Sequence, residues 1–314
     1  MKVRVLKRAK SQRGIFAFAM VYNEEWFLPH FLEHHRALGI DYFIFYDDCS
    51  TDRTREFLLA QDDCAVHVPD AEPGEEIKHG VWLQRHLSTQ IPELEGPGRW
   101  SLVLDADEFM ILPPAFASIG DVVAHLERKG RNSAFAAMVD FYPERLSDRF
   151  YDPLSPLQGC PWFDKRMPFK RDPVTLKPEI VAAGVRPRLL QTLAARYPQS
   201  IKEIFGDSRY RIGRMWKVPL LKTGQGIVRT SAHGVNVAVP ADLQLALAHF
   251  KFYPELDQRI HQALSREGHF QGGIEYRFLR KVLDLLPDEP LLLAESVEYR
   301  SPADLERAGL TWSE

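Results

Sequence analysis

Residues 100–109 read Trp-Ser-Leu-Val-Leu-Asp-Ala-Asp-Glu-Phe, an apolar run that passes directly into acidic side chains. A short, continuous apolar run is typical of a strand that is buried on both faces of a parallel sheet. Side chains two apart at a strand end lie on the same side, so Asp105 and Asp107 are predicted to converge. Converging carboxylates favour Mg²⁺ or Mn²⁺, which bind one or two carboxylates together with substrate phosphates. The alternative is a solvated acidic turn.

Two upstream apolar runs end in polar segments in the same way. Residues 15–21 precede Asn-Glu-Glu at 23–25, and residues 42–46 precede Asp-Asp-Cys-Ser-Thr-Asp at 47–52. Helical spacing of apolar residues between these runs predicts strand–helix–strand units, which join parallel strands by right-handed crossovers. We therefore expect an α/β fold with a mostly parallel sheet and flanking helices. Ligands of open α/β sheets bind at the carboxyl ends of the strands, where all three polar segments lie.

The polar segments contain candidate ligands for a nucleotide. A carboxylate after the second strand can accept hydrogen bonds from a ribose hydroxyl or a base edge, which makes Asp47 a candidate, with Asn23 and Glu24 beside it. The alternative is that Asn23 and Ser50 cap helices while Asp47 closes a turn. Both interpretations can hold together.

The rest of the chain is less regular. Residues 143–200 are rich in proline, arginine and aromatic residues and are predicted to form long ordered loops. Further strands are predicted over 64–68, 134–139, 216–221, 234–239 and 245–252, and further helices over 76–90, 254–268, 275–286 and 302–308. We expect one main domain over residues 1–253 and a helical extension over 254–314 packed on it.

His249-Phe250-Lys251 lies near the end of the last predicted strand, 245–252. In an extended segment His249 and Lys251 share a face, so an imidazole could bind a metal while an ammonium meets a diphosphate. The alternative is a core histidine, because apolar residues surround it, and His233 is a rival ligand. Further basic candidates for a diphosphate or an acceptor are Arg186, Arg188 and Lys217.

Composition excludes several classes of protein. The 314 residues are 45% hydrophobic and carry 40 Lys+Arg against 43 Asp+Glu, so no global basic field selects nucleic acid. Three cysteines, with no C-x-x-C pair, argue against a disulfide framework and favour a reducing, cytoplasmic setting. No apolar run approaches the roughly 20 residues that span a bilayer. The basic first ten residues lack the apolar core of a secretory signal, and weak contact with anionic lipid is the alternative to a solvated segment.

Taken together, these segments resemble a glycosyltransferase family 2-like protein, in a branch similar to the family 92 enzymes. The resemblance is strong over residues 15–112 and thinner over 180–280. Its motifs are Tyr22-Asn23-Glu24, Leu38-Gly39-Ile40-Asp41, the Asp-Asp-x-Ser-Thr-Asp run at 47–52, Asp105 to Phe109, and His249-Phe250-Lys251. Cys49 stands where many members have glycine, and the Glu-Asp pair that often supplies the catalytic base has no clear counterpart.

The resemblance implies a GT-A fold and transfer of a sugar from a nucleotide-diphosphate donor, a UDP-sugar, to a hydroxyl with inversion. The acceptor would be a glycan, a lipid-linked molecule or another hydroxyl compound. It implies Mn²⁺ or Mg²⁺ held by Asp105 and Asp107, with His249 completing the metal shell, and it adds Asp105 and Lys251 to the donor-binding residues. The alternatives are a nucleotidyltransferase, which the lack of a Gly-rich basic phosphate loop disfavours, and a non-catalytic nucleotide- or sugar-binding module.

Asp140 is the predicted catalytic base. It follows the apolar segment 134–139 and leads into the loop-rich region, where a carboxylate could take the acceptor proton. The alternative is that Asp140 caps a turn before Pro143, and Glu267 and Glu275 are rival bases.

Overall fold

The computed structural model describes residues 2–70, 81–165, 169–171, 178–180, 183–206, 215–224, 226–239, 241–266 and 273–314. The strands in these ranges are β1 (Lys2–Lys7), β2 (Phe16–Val21), β3 (Tyr42–Asp47), β4 (Cys64–Asp70), β5 (Trp100–Leu104), β6 (Glu108–Ile111), β7 (Ser133–Phe141), β8 (Trp162–Asp164), β9 (Phe169–Arg171), β10 (Pro178–Ile180), β11 (Trp216–Lys222), β12 (Leu243–Phe250), β13 (Ser296–Glu298) and β14 (Trp312–Ser313). The helices are α1 (Phe27–Ala37), α2 (Thr54–Ala60), α3 (Val81–Glu95), α4 (Ile119–Arg128), α5 (Pro156–Gly159), α6 (Val185–Arg196), α7 (Pro198–Phe205), α8 (Leu256–Ser265), α9 (Ile274–Leu285) and α10 (Pro302–Arg307), with a 3₁₀ turn at Leu146–Arg149.

One large mixed sheet forms the centre of the α/β fold. Its order is β1-β4-β3-β2-β5-β11-β7-β12-β14, and β6 also pairs with β12. Strands β2, β3, β4 and β5 are parallel to their neighbours within that group, and β12 is parallel to β7. Strand β11 runs antiparallel to both β5 and β7, and β1, β6 and β14 are also antiparallel to their partners. The expectation of a mostly parallel sheet is therefore wrong, because long-range pairings add antiparallel strands to the parallel crossover units.

Helices cover both faces of the parallel strands. The strands alternate, so that neighbouring residues enter different apolar clusters. Residues Ala17, Ala19 and Val21 of β2 belong to the same cluster as Phe27, Phe31 and Leu32 of α1. Residues Phe16 and Phe18 belong to a second cluster with Leu83, Leu87 and Ile91 of α3, which recur at the four-residue spacing of one helix face. The predicted buried strands are confirmed for β2, β3 and β5.

The second half of the chain differs more from expectation. The prediction of loops over 143–200 is wrong where α6 and α7 form, because Val185, Leu189 and Leu193 make a buried helical stripe among arginines. The strand predicted over 234–239 is also wrong. In the described range 226–239, the β-pairing of these residues is an isolated bridge between Arg229 and Val235. Residues 76–80 of the predicted helix over 76–90 lie outside the described residues, and α3 covers the remainder.

The two ends of the chain pack on the same sheet. Strand β1 pairs with β4, and Arg4, Leu6, Arg8 and Lys10 of this first segment remain exposed to solvent. Leu256 and Ile260 of α8 and Phe278 and Leu279 of α9 belong to the main apolar cluster. None of the described helices is long and apolar enough to cross a membrane.

His35 is a buried histidine whose hydrogen bonds require the neutral form. Its Nδ1 lies 2.8 Å from the carbonyl oxygen of Phe31, and the backbone N–H of Met110 points at its Nε2 from 3.3 Å. Because Nε2 accepts a hydrogen bond, Nδ1 must carry the single proton. Burial lowers the pKa of His35 well below its ordinary value, and His34 beside it adds to this effect.

We expect His35 to make the protein less stable in acid. Below the unfolded-state pKa of about 6.5, His35 takes up a proton in the unfolded chain but stays neutral in the native state. The free energy of unfolding therefore falls by up to about 1.4 kcal/mol for each unit by which the pH decreases. Urea unfolding of wild type and His35→Gln at about pH 7.5 and about pH 5 measures this contribution. The wild type should lose more stability than the variant between the two conditions. Equal losses would contradict the prediction.

Candidate functional site

The carboxyl ends of β2, β3, β5, β7 and β12 lie along one edge of the sheet. Strands β2, β3 and β5 are parallel to one another. Strand β11 lies between β5 and β7 and is antiparallel to both, so β5 and β7 run in the same direction. Strand β12 pairs in parallel with β7 and places His249 opposite Asp140. The sheet therefore brings the Asp-Ala-Asp turn after β5 to the same edge as the end of β12.

Asp107 lies between two basic side chains from the end of β12. The Nζ of Lys251 donates a hydrogen bond to its Oδ2 at 2.5 Å, and the Nε2 of His249 lies 3.7 Å from the same oxygen. The backbone N–H of Phe250 donates to the carbonyl oxygen of Asp107 at 3.0 Å and fixes the turn to the strand. Burial alone would raise the pKa of Asp107, but the ammonium of Lys251 holds it well below the usual carboxyl range.

A buried charge chain continues from His249. Its members are Asp107, His249, Asp140, Arg186 and Glu275. The Nδ1–H of His249 donates to Oδ1 of Asp140 at 2.8 Å, and Arg186 donates to both oxygens of Asp140 at 2.9 and 3.0 Å. The remaining terminal nitrogen of Arg186, Nη1, donates to Oε1 of Glu275. Asp140 is 2% exposed with both oxygens occupied, whereas the side chain of Glu275 is 31% exposed, so Asp140 orients His249 while Glu275 reaches the surface.

The protonation of His249 follows from this chain. A carboxylate can only accept, so the proton of the neutral imidazole lies on Nδ1 and the lone pair lies on Nε2. Burial lowers the pKa of His249, and the charge of Lys251 lowers it further. The neutral form is therefore favoured, with the lone pair of Nε2 on the Asp107 side.

Gly184 allows Arg186 to approach Asp140. Its φ of +89° lies in the left-handed region, and a Cβ there would lie 3.2 Å from Oδ2 of Asp140. Glycine is the residue that satisfies both conditions at the residue before α6. The start of the helix can then bring the guanidinium into its pair with the carboxylate.

Asp105 has different partners from Asp107. Gln84 donates to its Oδ1 at 2.6 Å, and Lys217 lies 3.4 Å from its Oδ2. Lys217 is 1% exposed and donates to Oε2 of Glu108 at 2.6 Å, so it is committed to carboxylates rather than to a substrate phosphate. Burial raises the pKa of Glu108 to about 8 despite that lysine.

The predicted nucleoside ligands Asn23 and Asp47 hold loops together. Oδ1 of Asn23 accepts a hydrogen bond from the backbone N–H of Thr51 at 2.7 Å, and the backbone N–H of Asn23 donates to Oγ of Ser50 at 3.0 Å. Asp47 is fully buried and accepts from the Ser50 N–H at 2.9 Å and from Arg55 at 2.5 Å. Cys49 has a φ of +66°, in the region that favours glycine. Asp47 thus closes a turn, as the alternative had it, whereas neither Asn23 nor Ser50 is the N-cap of a helix and Asn23 instead ties two loops together.

Two arginines of the C-terminal part, which the sequence analysis missed, join the site. Arg259 pairs with Oε1 of Glu24 at 2.9 Å and donates to the carbonyl oxygen of Tyr22 at 2.7 Å. Burial raises the pKa of Glu24 to about 7 in spite of that pair. Arg266 donates to Oδ2 of Asp48 at 2.7 Å, and its guanidinium lies 3.7 Å from the ring centre of Tyr22. Seven residues separate them, a spacing that would place both on one face of the helix predicted over 254–268, although α8 itself ends at Ser265.

The remaining predicted residues lie elsewhere. Nδ1 of His233 lies 2.8 Å from the carbonyl oxygen of Trp216. Arg188 pairs with Asp164 at 3.1 Å and donates to a backbone carbonyl. Arg186 and Lys217 are buried in ion pairs with carboxylates, so neither has the open guanidinium or ammonium group that a phosphate site requires. Glu267 lies outside the described residues.

Two of the three predicted metal ligands are close together. Nε2 of His249 and Oδ2 of Asp107, 3.7 Å apart, could each bind one ion at about 2.1 Å. Within the described ranges, no group of three or more His, Cys, Asp or Glu side chains is placed to hold a metal ion. The pair therefore fits an ion that takes its remaining ligands from water or from substrate phosphates, as Mg²⁺ and Mn²⁺ commonly do.

Comparisons with known proteins add little to this description. No protein-family model matches the chain, and no curated protein matches it. It is similar to a solved structure titled "Crystal Structure of a Mycobacterial Protein", with 16% identity and a TM-score of 0.31, over 67% of this chain and 53% of that one. The chain thus spans about half the length of that protein, and a likeness at this TM-score carries no argument.

Proposed function

We propose that this protein is a glycosyltransferase with a GT-A-type architecture. It would move a sugar from a nucleotide diphosphate, a UDP-sugar, to a hydroxyl of a glycan, a lipid-linked molecule or another acceptor, with inversion. The observation that carries the proposal is the 3.7 Å approach of Asp107 and His249, which joins two motifs of the sequence resemblance that lie far apart in the chain. The parallel strands β2, β3 and β5 support it, because they bring the other acidic motifs to the same edge.

The proposed donor site uses the side chains that are partly open at this edge. Asp107 and His249 would hold Mn²⁺ or Mg²⁺, which when bound supplies positive charge against the departing diphosphate. Among the described residues, Lys251 and Arg259, whose side chains are 20% and 22% exposed, are the cations that would contact diphosphate oxygens. Asn23 and Asp47 would act on the nucleoside indirectly, by fixing the loops beside it. Asp105 would border the ribose while Gln84 orients its carboxylate.

The proposed acceptor chemistry needs a carboxylate that substrate can reach. The acceptor oxygen forms a bond to the anomeric carbon, the bond to the diphosphate oxygen breaks with its electron pair, and the hydroxyl proton passes to a base. Asp140 was predicted for this role, but its oxygens are occupied by Arg186 and His249. We therefore assign the base to Glu275, and Asp140 to orientation of His249.

The proposed donor site predicts metal-dependent binding of UDP. Calorimetry should show that Mn²⁺ strengthens UDP binding to wild type, and Asp107→Asn should weaken the Mn²⁺-supported affinity by about 10–100-fold, because the neutral amide lacks the charge that a hard cation requires. Asp288→Asn, an exposed carboxylate that pairs with Arg145, is the control and should bind like wild type. Binding that neither Mn²⁺ nor Asp107→Asn changes would exclude the proposed metal site.

The products separate the proposed activity from its alternatives. A glycosyltransferase releases UDP from the donor, whereas a nucleotidyltransferase attacks the α-phosphorus and releases pyrophosphate. A panel of UDP-sugars and acceptors assayed for both products distinguishes the two. Tight binding without either product across the panel would favour a non-catalytic binding module.

A further inference from the structure

Lys251 occupies the carboxylate oxygen at which the proposed metal would bind. Its Nζ lies 2.5 Å from Oδ2 of Asp107, and Nε2 of His249 lies 3.7 Å from that same oxygen. Both side chains of the ion pair are about four-fifths buried. The ammonium of Lys251 and the imidazole of His249 thus approach one and the same oxygen of Asp107. The lysine and a metal ion would therefore compete for one oxygen.

We propose that Lys251 is a built-in counter-cation, which holds Asp107 while the site is empty and moves to the donor diphosphate when metal and donor bind together. The proposal rests on the proposed function and names the order of events at the same site. It implies that Mn²⁺ alone binds weakly, and that Mn²⁺ and UDP strengthen each other's binding.

The energetics of buried charge support this exchange. A mostly buried carboxylate without a partner is costly, and Lys251 removes that cost in the empty protein. A divalent ion that displaced the ammonium would cost Lys251 the described anion that it contacts directly, because the nearby Glu275 already pairs with Arg186. A diphosphate supplies the missing anion, so displacement becomes favourable when both ligands arrive.

Lys251 is suited to move, whereas its neighbour Arg259 is not. A lysine carries one point charge on a flexible four-carbon stem and can change partners by rotation. The guanidinium of Arg259 is fixed at two places, by Glu24 at 2.9 Å and by the carbonyl oxygen of Tyr22 at 2.7 Å. Of the two cations proposed for the diphosphate, Lys251 is the one that blocks the metal.

The test measures Mn²⁺ binding without nucleotide, by electron paramagnetic resonance of the free ion. Lys251→Met keeps most of the length of the side chain and removes its charge, and it should tighten Mn²⁺ binding by about 10-fold or more. Adding Asp107→Asn to this variant should abolish the gain. The same Lys251→Met protein should bind UDP more weakly than wild type in saturating Mn²⁺, by about 10-fold. Lys222→Met, which removes a lysine paired with Glu127, should change neither affinity.

Unchanged Mn²⁺ affinity in Lys251→Met would overturn the counter-cation, even if UDP binding upholds the proposed function. Tighter Mn²⁺ binding with no UDP binding to any form would uphold the competition for Asp107 and overturn the donor site. A second measurement needs no variant: in wild type, saturating UDP should raise Mn²⁺ affinity by about 10-fold or more, and absence of this coupling would also overturn the proposal.

Discussion

Glu275→Gln should lower turnover by about 10²–10⁴ while the affinity for UDP stays within about threefold of wild type. The substitution keeps the shape of the side chain and an oxygen that can accept from Arg186, but it removes the ability to take a proton. Burial raises the pKa of Glu275, yet Arg186 and Lys251 outweigh this effect and lower it below the ordinary value. The carboxylate is therefore ionised at neutral pH, which is the form that a general base requires, although the lowered pKa also reduces its proton affinity.

Single-turnover kinetics with a UDP-sugar and its acceptor, together with UDP calorimetry, measure this prediction. Glu203→Gln is the control, because Glu203 is an exposed carboxylate on α7 that pairs with Lys281. Nearly full turnover in Glu275→Gln would exclude Glu275 as the base. A loss of turnover and of UDP affinity by the same factor would show that Glu275 binds the donor instead.

Arg186→Met should lower the free energy of unfolding by about 3–5 kcal/mol, because it leaves a buried carboxylate without its partner. Arg186 is 2% exposed and donates to both oxygens of Asp140, which is equally buried. Loss of the guanidinium also frees the oxygen of Glu275 that it holds. The charge chain then keeps only His249 as a donor to Asp140.

Urea unfolding of three variants separates burial from ion pairing itself. Arg145→Met breaks a pair of the same kind with Asp288 on the surface and should leave stability close to wild type. Adding Asp140→Asn to Arg186→Met should recover part of the loss, because the unpaired charge is then absent. A loss in Arg186→Met no larger than that in Arg145→Met would contradict the buried ion pair.

The elements predicted from the sequence agree with the structure where the local pattern of apolar residues is strong. Apolar runs before the acidic segments predict β2, β3 and β5, and their length and buried surroundings agree with the structure. The same method misses α6 and α7, because their apolar stripe is interrupted by Arg186, Arg188 and two prolines. It also misses β6, since four residues after an acidic turn carry no period of their own and form a strand by pairing with β12.

In the candidate site, too, several of the residues themselves were predicted but their partners were not. Asp105 and Asp107 were expected to act together because of their spacing, yet their described partners differ: Gln84 and Lys217 for Asp105, and His249 and Lys251 for Asp107. Arg259 was not predicted, because a basic residue on a helix is ordinarily solvated. Only the packing of α8 against the end of β2 makes it the partner of Glu24.

By itself, the sequence determined that acidic segments follow buried strands and that His249 and Lys251 share a face at the end of a late strand. Both features depend only on neighbouring residues and on the two-residue period of a strand. The tertiary structure decided which charges meet. Strand β11 enters between β5 and β7, β12 follows β7, and His249 is thereby brought to Asp107 and Asp140. Strand order and buried ion pairs depend on contacts between distant segments, and their energies come from burial and charge at short distance, which no local period encodes.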